Sequence, residues 1–170
     1  MEKANSHSLT AKFFHWGFIG IFLYALTKQL DEVQELEDPH LLQAEMVFAS
    51  IFLLVLIVRF IYMQKTQPTV MPTSIDKRTR RAARFVHLGM YISLSAIAIT
   101  GLAIGGLYAY DIKQGIIMNV MLVLHELSAQ LTILLIVGHV GASIYHRRKS
   151  DGIWEAMVPF WKERETKRAN

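Results

Sequence analysis

Four apolar blocks dominate this 170-residue chain, near residues 9–27, 41–63, 83–108 and 116–146. A helix needs about 20 mostly apolar residues to cross the hydrocarbon core of a bilayer, and each block meets or nearly meets that length. From Phe13 to Leu26 there is one imidazole, His15, and no fixed charge. From Met46 to Val58 there is no charge and one serine. Helices of a soluble bundle would carry a polar face at the helical period, and these blocks do not. The chain therefore reads as an all-α membrane protein, a single domain over 1–170 built as a four-helix transmembrane bundle.

The connecting segments differ in sign. Asp31, Glu32, Glu35, Glu37 and Asp38 make the first one acidic. The second carries Lys65, Lys77, Arg78, Arg80, Arg81 and Arg84 against Asp76 alone. The third, near Asp111 and Lys113, is short and close to neutral, and the tail opens with His146, Arg147, Arg148 and Lys149. Lys and Arg accumulate on the cytoplasmic side of membrane proteins. Both termini and the middle loop are thus expected in the cytoplasm, in a multi-pass protein of the bacterial inner membrane. The net charge of +4 follows from this topology and from attraction to anionic lipid, so no nucleic-acid partner is expected. The first block contains aromatic rings and a histidine, with no small-residue cleavage site before the acidic segment, so a removed signal peptide is not expected. There is no cysteine, which excludes disulfides, Cys-ligated iron–sulfur clusters, thiolate ligation of haem and covalent haem attachment.

Local signals place the helix ends. Pro39 suits a first helical turn, with Asp38 ahead of it as a cap. Pro68 and Pro72 end the second helix and keep the following loop extended. Gly115 precedes the fourth helix. Gly101 with Gly105, and Gly138 with Ala142, form small-xxx-small pairs whose default meaning is close helix packing; in a bundle around a flat cofactor they also leave room. The tail 147–170 contains the run IWEAMVPFW at 153–161, amphipathic and aromatic, and is expected to lie in the inner interface.

Histidines are the informative residues, because ionisable groups within membrane spans are rare and costly. Of the seven, His7 lies in a polar tail, His146 sits at a helix end beside Arg147, and His40 adjoins Pro39 at the outer end of the second helix. Interfacial solvation explains these three. His125 and His139 are 14 residues apart on one helix, about 21 Å along its axis with about 40° of rotation. They face nearly the same way from opposite halves of the bilayer. His15 and His139 share a depth near the cytoplasmic side, and both can reach one iron from opposite faces. Imidazole suits iron, and two such ligands leave a haem no open position, which favours electron transfer over oxygen binding. Buried rings satisfied by hydrogen bonds between helices are the plainer alternative.

The runs F-H-W at 14–16, V-R-F at 58–60, H-L-G-M-Y at 87–91 and L-H-E-(x12)-H at 124–139 resemble the bacterial cytochrome b-561 family, which includes cytochrome b subunits of nickel–iron hydrogenases. The resemblance spans nearly the whole chain, and the 14-residue separation is its most specific element. It implies a four-helix bundle, haem b, and exchange of electrons with a membrane quinone or a redox partner. It assigns the inner haem to His15 and His139. In the family the outer haem uses the first His of helix four, here His125, and a His early in helix two. Counting back 14 residues from Arg59, that position is Glu45. His40 is five residues earlier, about 7.5 Å further out, and His87 lies three residues inside Arg84, at the wrong depth. Three readings of the outer site follow. It is empty, with Glu45 and His125 as a buried polar or proton-carrying pair; it holds haem through His125 and His40; or it holds haem through His125 with an unusual or open sixth position. His87 matches a third-helix His of the family, and the resemblance suggests a bond to a haem propionate or a proton-carrying role at a quinone pocket, against plain packing. Arg59 either neutralises a propionate or snorkels to the interface. Trp16 reads as an interface aromatic.

The resulting expectation is a b-type cytochrome with one haem b at the inner site and the outer site open. Its partners are quinone or quinol and the lipid bilayer. The short loops are compatible with a subunit role beside a dehydrogenase or a soluble cytochrome, and with a homodimer. The rival is a haem-free membrane scaffold, or a transporter using buried His and Glu for protons or metal.

Overall fold

The computed structural model describes residues 8–28, 30, 32–66, 75–154 and 158. His7, Pro68, Pro72 and most of the aromatic tail lie outside the described residues. Within them the protein is all-helical: α1 Leu9–Leu26, a short 3-10 helix Val33–Glu37, α2 Pro39–Thr66, α3 Lys77–Ala109 and α4 Ile116–Lys149. All four α-helices are long and apolar enough to cross a membrane.

The helix ends follow local chemistry. Ser8 caps α1, its side chain accepting from the Ala11 amide. Asp38 precedes Pro39 as expected, its carboxylate accepting from the His40 amide at 2.9 Å. Gly115 adopts φ 108° before α4, a conformation that disfavours any side chain. Three spans are longer than the apolar blocks suggested. α2 runs from 39 to 66, α4 continues to Lys149, and α3 begins at Lys77, six residues before its apolar block. Apolar length marks the hydrocarbon thickness and not the helix. Arg and Lys are good helix formers, and Asp76, accepting from the Arg78 amide, supplies the cap that starts α3 in the basic segment. At the other end, His146, Arg147, Arg148 and Lys149 occupy the last turn of α4, where cations oppose the negative end of the helix dipole.

α3 is the central element, packed most extensively on α4 and next on α2, while α1 rests chiefly on α2. Two apolar clusters result. One, of Phe18, Phe52, Leu56, Leu94 and Ala98, joins α1, α2 and α3. The other, of Leu36, Ile104, Tyr108 and Met118, closes the outer end under the 3-10 helix. Outside them the surface is strongly apolar, with Leu54, Ile92, Leu134 and Val137 all more than half exposed. Such a surface is stable facing lipid and costly facing water. The glycine pairs divide. A Cβ on Gly105 would fall 2.8 Å from Met46 Cγ, and one on Gly101 would fall 3.3 Å from His125 Cε1. These two glycines seat α2 and the His125 ring on α3. Gly138 has nothing within 4 Å and, like Ala142, is exposed, so the second small-xxx-small pair packs against no helix.

Candidate functional site

At the inner level, each of the four helices contributes one residue to a common cluster. α1 brings His15, α2 Arg59, α3 His87 and α4 His139. The His15 and His139 ring centroids are 6.4 Å apart, and the His87 ring lies 5.0 Å from that of His139. Arg59 Nη2 donates to His15 Nδ1 at 2.9 Å. The guanidinium is sandwiched between aromatic faces, 5.2 Å from the Phe18 ring and 5.5 Å from the Tyr91 ring. Stacking of this kind suits the planar, weakly hydrated guanidinium better than an ammonium. Its Nε is buried with no hydrogen-bond partner among the described residues. A buried guanidinium N–H without an acceptor is costly, so this corner is chemically suited to an anion. Trp16 is exposed and its ring meets that of His15 edge-on at 5.9 Å, in keeping with an interface aromatic.

The outer level is built differently. Thr100 Oγ1 donates to the Ala96 carbonyl at 2.6 Å and lies 2.9 Å from His125 Nδ1. The same hydroxyl also reaches the Ile97 carbonyl at 3.1 Å, so Thr100 ties the His125 ring to the α3 backbone through Nδ1. His125 lines a cavity of about 490 Å³ whose other walls include Glu45, Phe48, Phe52, Gly101 and Gly105. Glu45 therefore shares a cavity with His125, whose Nδ1 is paired with Thr100. His40 is exposed at the start of α2 and does not line the cavity. His146 pairs with Asp151, Nδ1 to Oδ2 at 2.6 Å, consistent with an interfacial place. Thr132, seven residues from both His125 and His139 and so on the same face of α4, is fully buried with its hydroxyl unpartnered.

Above the cavity, Lys113 bridges Glu37 and Asp111, each at 3.4 Å. The Glu37 hydrogen bond and charge lead in holding the Lys113 ammonium above its ordinary range. This exposed tether ties the 3-10 helix to the short outer loop.

Sequence reasoning brought His15 and His139 to one depth, and the structure sets their rings edge-on to one another at 6.4 Å. It anticipated neither the Arg59–His15 bond nor the role of Thr100. Thr100 is the only hydroxyl in α3 between Ser95 and Tyr108, immediately before the glycine that receives His125, and that isolation was the available signal. Among the described residues no three or more His, Asp or Glu side chains are arranged to hold a metal ion. A haem brings its own four nitrogens and asks the protein only for axial ligands.

A family model described as prokaryotic cytochrome b561 matches residues 6–160. No curated protein and no solved structure matches the chain.

Proposed function

We propose, from the premise that this chain belongs to the prokaryotic cytochrome b561 family, that it passes electrons between a membrane quinone pool and a redox partner through a haem b held by His15 and His139. The family implies a multi-pass prokaryotic membrane protein, b-type haem and electron transfer. The ligand pair and the quinone are the finer reading.

The observation that carries it is the spacing of the inner rings. An imidazole nitrogen sits about 2.0–2.1 Å from a bound metal ion, so two rings on opposite sides of one ion have centroids roughly 6 Å apart. His15 and His139 stand at 6.4 Å. His87 and His139, at 5.0 Å, are too close to hold an ion between them. His87 therefore serves beside the pair, as a hydrogen-bonding or proton-carrying group.

The haem, when bound, supplies the one-electron chemistry. His15 and His139 would both hold it, and ligation by two imidazoles would suit it to passing electrons rather than binding oxygen. Arg59 supports this. A histidine bound through Nε2 donates its Nδ1–H, and a guanidinium cannot accept it. Arg59 thus releases His15 when the site is loaded. A haem propionate is the anion that suits the freed guanidinium and its unpartnered Nε. The basic ends of α3 and α4 support a location of this site in the cytoplasmic half of the membrane, as the positive-inside rule expects.

The test is the colour of the purified protein. A haemochrome α-band is expected, with a low-spin spectrum that disappears in His15→Ala and in His139→Ala. A folded, colourless protein would overturn the reading and favour the haem-free scaffold or transporter.

A further inference from the structure

α4 is the least buried of the four spans. Away from its histidine face, Val123, Glu126, Gln130, Ile133, Val137, Val140 and Ile144 follow one another at alternating steps of three and four residues. All seven are exposed. That spacing keeps them on one stripe, roughly a third of a turn around the helix from His125 and His139. Alternating steps of three and four mark a seam between two helices, where β-branched side chains interlock. Bundles of membrane helices mostly pack with the same geometry.

Two members of the stripe are out of place against lipid. Gln130 stands about 21 Å along α4 from Ile116 and about 22 Å from Tyr145, at the middle of the apolar run. Glu126 lies one turn further out. Polar and ionisable groups at such depth face a cavity or another helix, because lipid gives them no partner. Gln130 Nε2 donates to Glu126 Oε1 at 3.1 Å, and Glu126 also lines the outer cavity. That bond uses one donor of the amide. Its second N–H and its carbonyl oxygen have no partner among the described residues.

We infer that a second copy of this chain docks on this stripe, α4 against α4 about a two-fold axis along the membrane normal, with the two Gln130 amides bonded to each other across it. Near such an axis each residue meets its own counterpart. One free N–H and one free carbonyl on each amide are what the other amide requires. A different helix would have to bring that matching pair, whereas a second copy already carries it. Hydrogen bonds of this kind join helices in lipid, and a lone polar residue in an apolar seam fixes its register. Glu126 belongs to both the stripe and the cavity wall, so the second copy abuts the outer cavity. The pairing does not depend on haem at either level.

The chain has no cysteine, so single cysteines in the full-length protein report the seam against a clean background. Val123→Cys, Val137→Cys and Ile144→Cys lie on the stripe. Leu124→Cys and Leu131→Cys replace residues that are also exposed but lie off it. Mild oxidation in native membranes is expected to give a disulfide-linked band of twice the chain mass from the first three and not from the other two. Gln130→Leu, which leaves the apolar seam intact, should weaken dimerisation on dilution in lipid vesicles roughly 3- to 30-fold, the range spanned by hydrogen bonds between membrane helices. Equal cross-linking at all five positions means random collision and overturns the inference, as does the absence of any linked band. A linked band of another mass means that the stripe holds a different protein, and overturns the second copy. Dimers of Gln130→Leu as tight as the parent's overturn the amide pairing.

Discussion

The inner and outer halves of the bundle use the same helix in opposite ways. α4 presents His139 inward and His125 outward, 14 residues apart on nearly one face. At the inner level the other helices answer with His15, Arg59 and His87, and the rings and guanidinium crowd together. At the outer level they answer with a hydroxyl, two glycines and a carboxyl, and a cavity remains. The number of imidazoles offered to a metal is therefore set by α1 and α2 and not by α4. One helix with a regular histidine spacing thus meets a crowded level of imidazoles and guanidinium at one end and a cavity at the other.

This contrast can be broken at single residues. The largest effect is expected from Thr100→Val, which keeps the shape but removes the hydroxyl paired with His125 Nδ1. Loss of such an outer partner costs about 10–100-fold in metal affinity. Haem titration should show any haem held by His125 weakened by that factor and the haem at the His15–His139 level unchanged. Equal weakening of both would mean that Thr100 supports the bundle and not one ligand.

Arg59→Gln acts on the inner half. It removes a cation beside His15, and a cation favours the reduced haem, which carries less positive charge. Redox titration should show the low-spin haem harder to reduce by up to about 59 mV, a tenfold change in a one-electron equilibrium. No shift would place the guanidinium away from the loaded haem.

The smallest effect belongs to Lys113→Ala, outside both halves. Exposed ion pairs contribute little, and thermal melting at neutral pH should show no resolvable change. The sign of its pH dependence is still defined. The Lys113 ammonium is held above its ordinary range by Glu37, so the small contribution is present below the unfolded lysine pKa and is lost as pH rises through the raised one. A melting curve whose alkaline fall is the same in Lys113→Ala as in the parent would remove even this role.

Much of the fold was legible because membrane crossing imposes a length. Four apolar runs mean four helices when lipid offers the backbone no hydrogen-bond partner. Boundaries were less legible. The block at 83–108 gave no sign that α3 starts at Lys77, since solvated Arg and Lys extend a helix without adding hydrophobicity. For the site, periodicity carried His15, His125 and His139 to their depths. It carried Glu45 to the outer half as well, which warned that the two levels would differ. It could not say that Arg59 reaches His15, because depth along a helix leaves rotation and side-chain reach undetermined. Nor could it distinguish the working glycine pair from the idle one. Gly101 and Gly105 face neighbours and Gly138 does not, although the spacing is the same.

By itself, then, the amino-acid order determined the helices, their apolar extent, the expected polarity of the loops and the depth of each histidine. These follow from local composition and a fixed rise per residue. Tertiary structure alone decided which groups meet: His15 against His139 with Arg59 beside them, and His125 paired with Thr100 on the wall of a cavity it shares with Glu45. Facing depends on how four helices rotate and pack, a collective outcome that no single helix encodes.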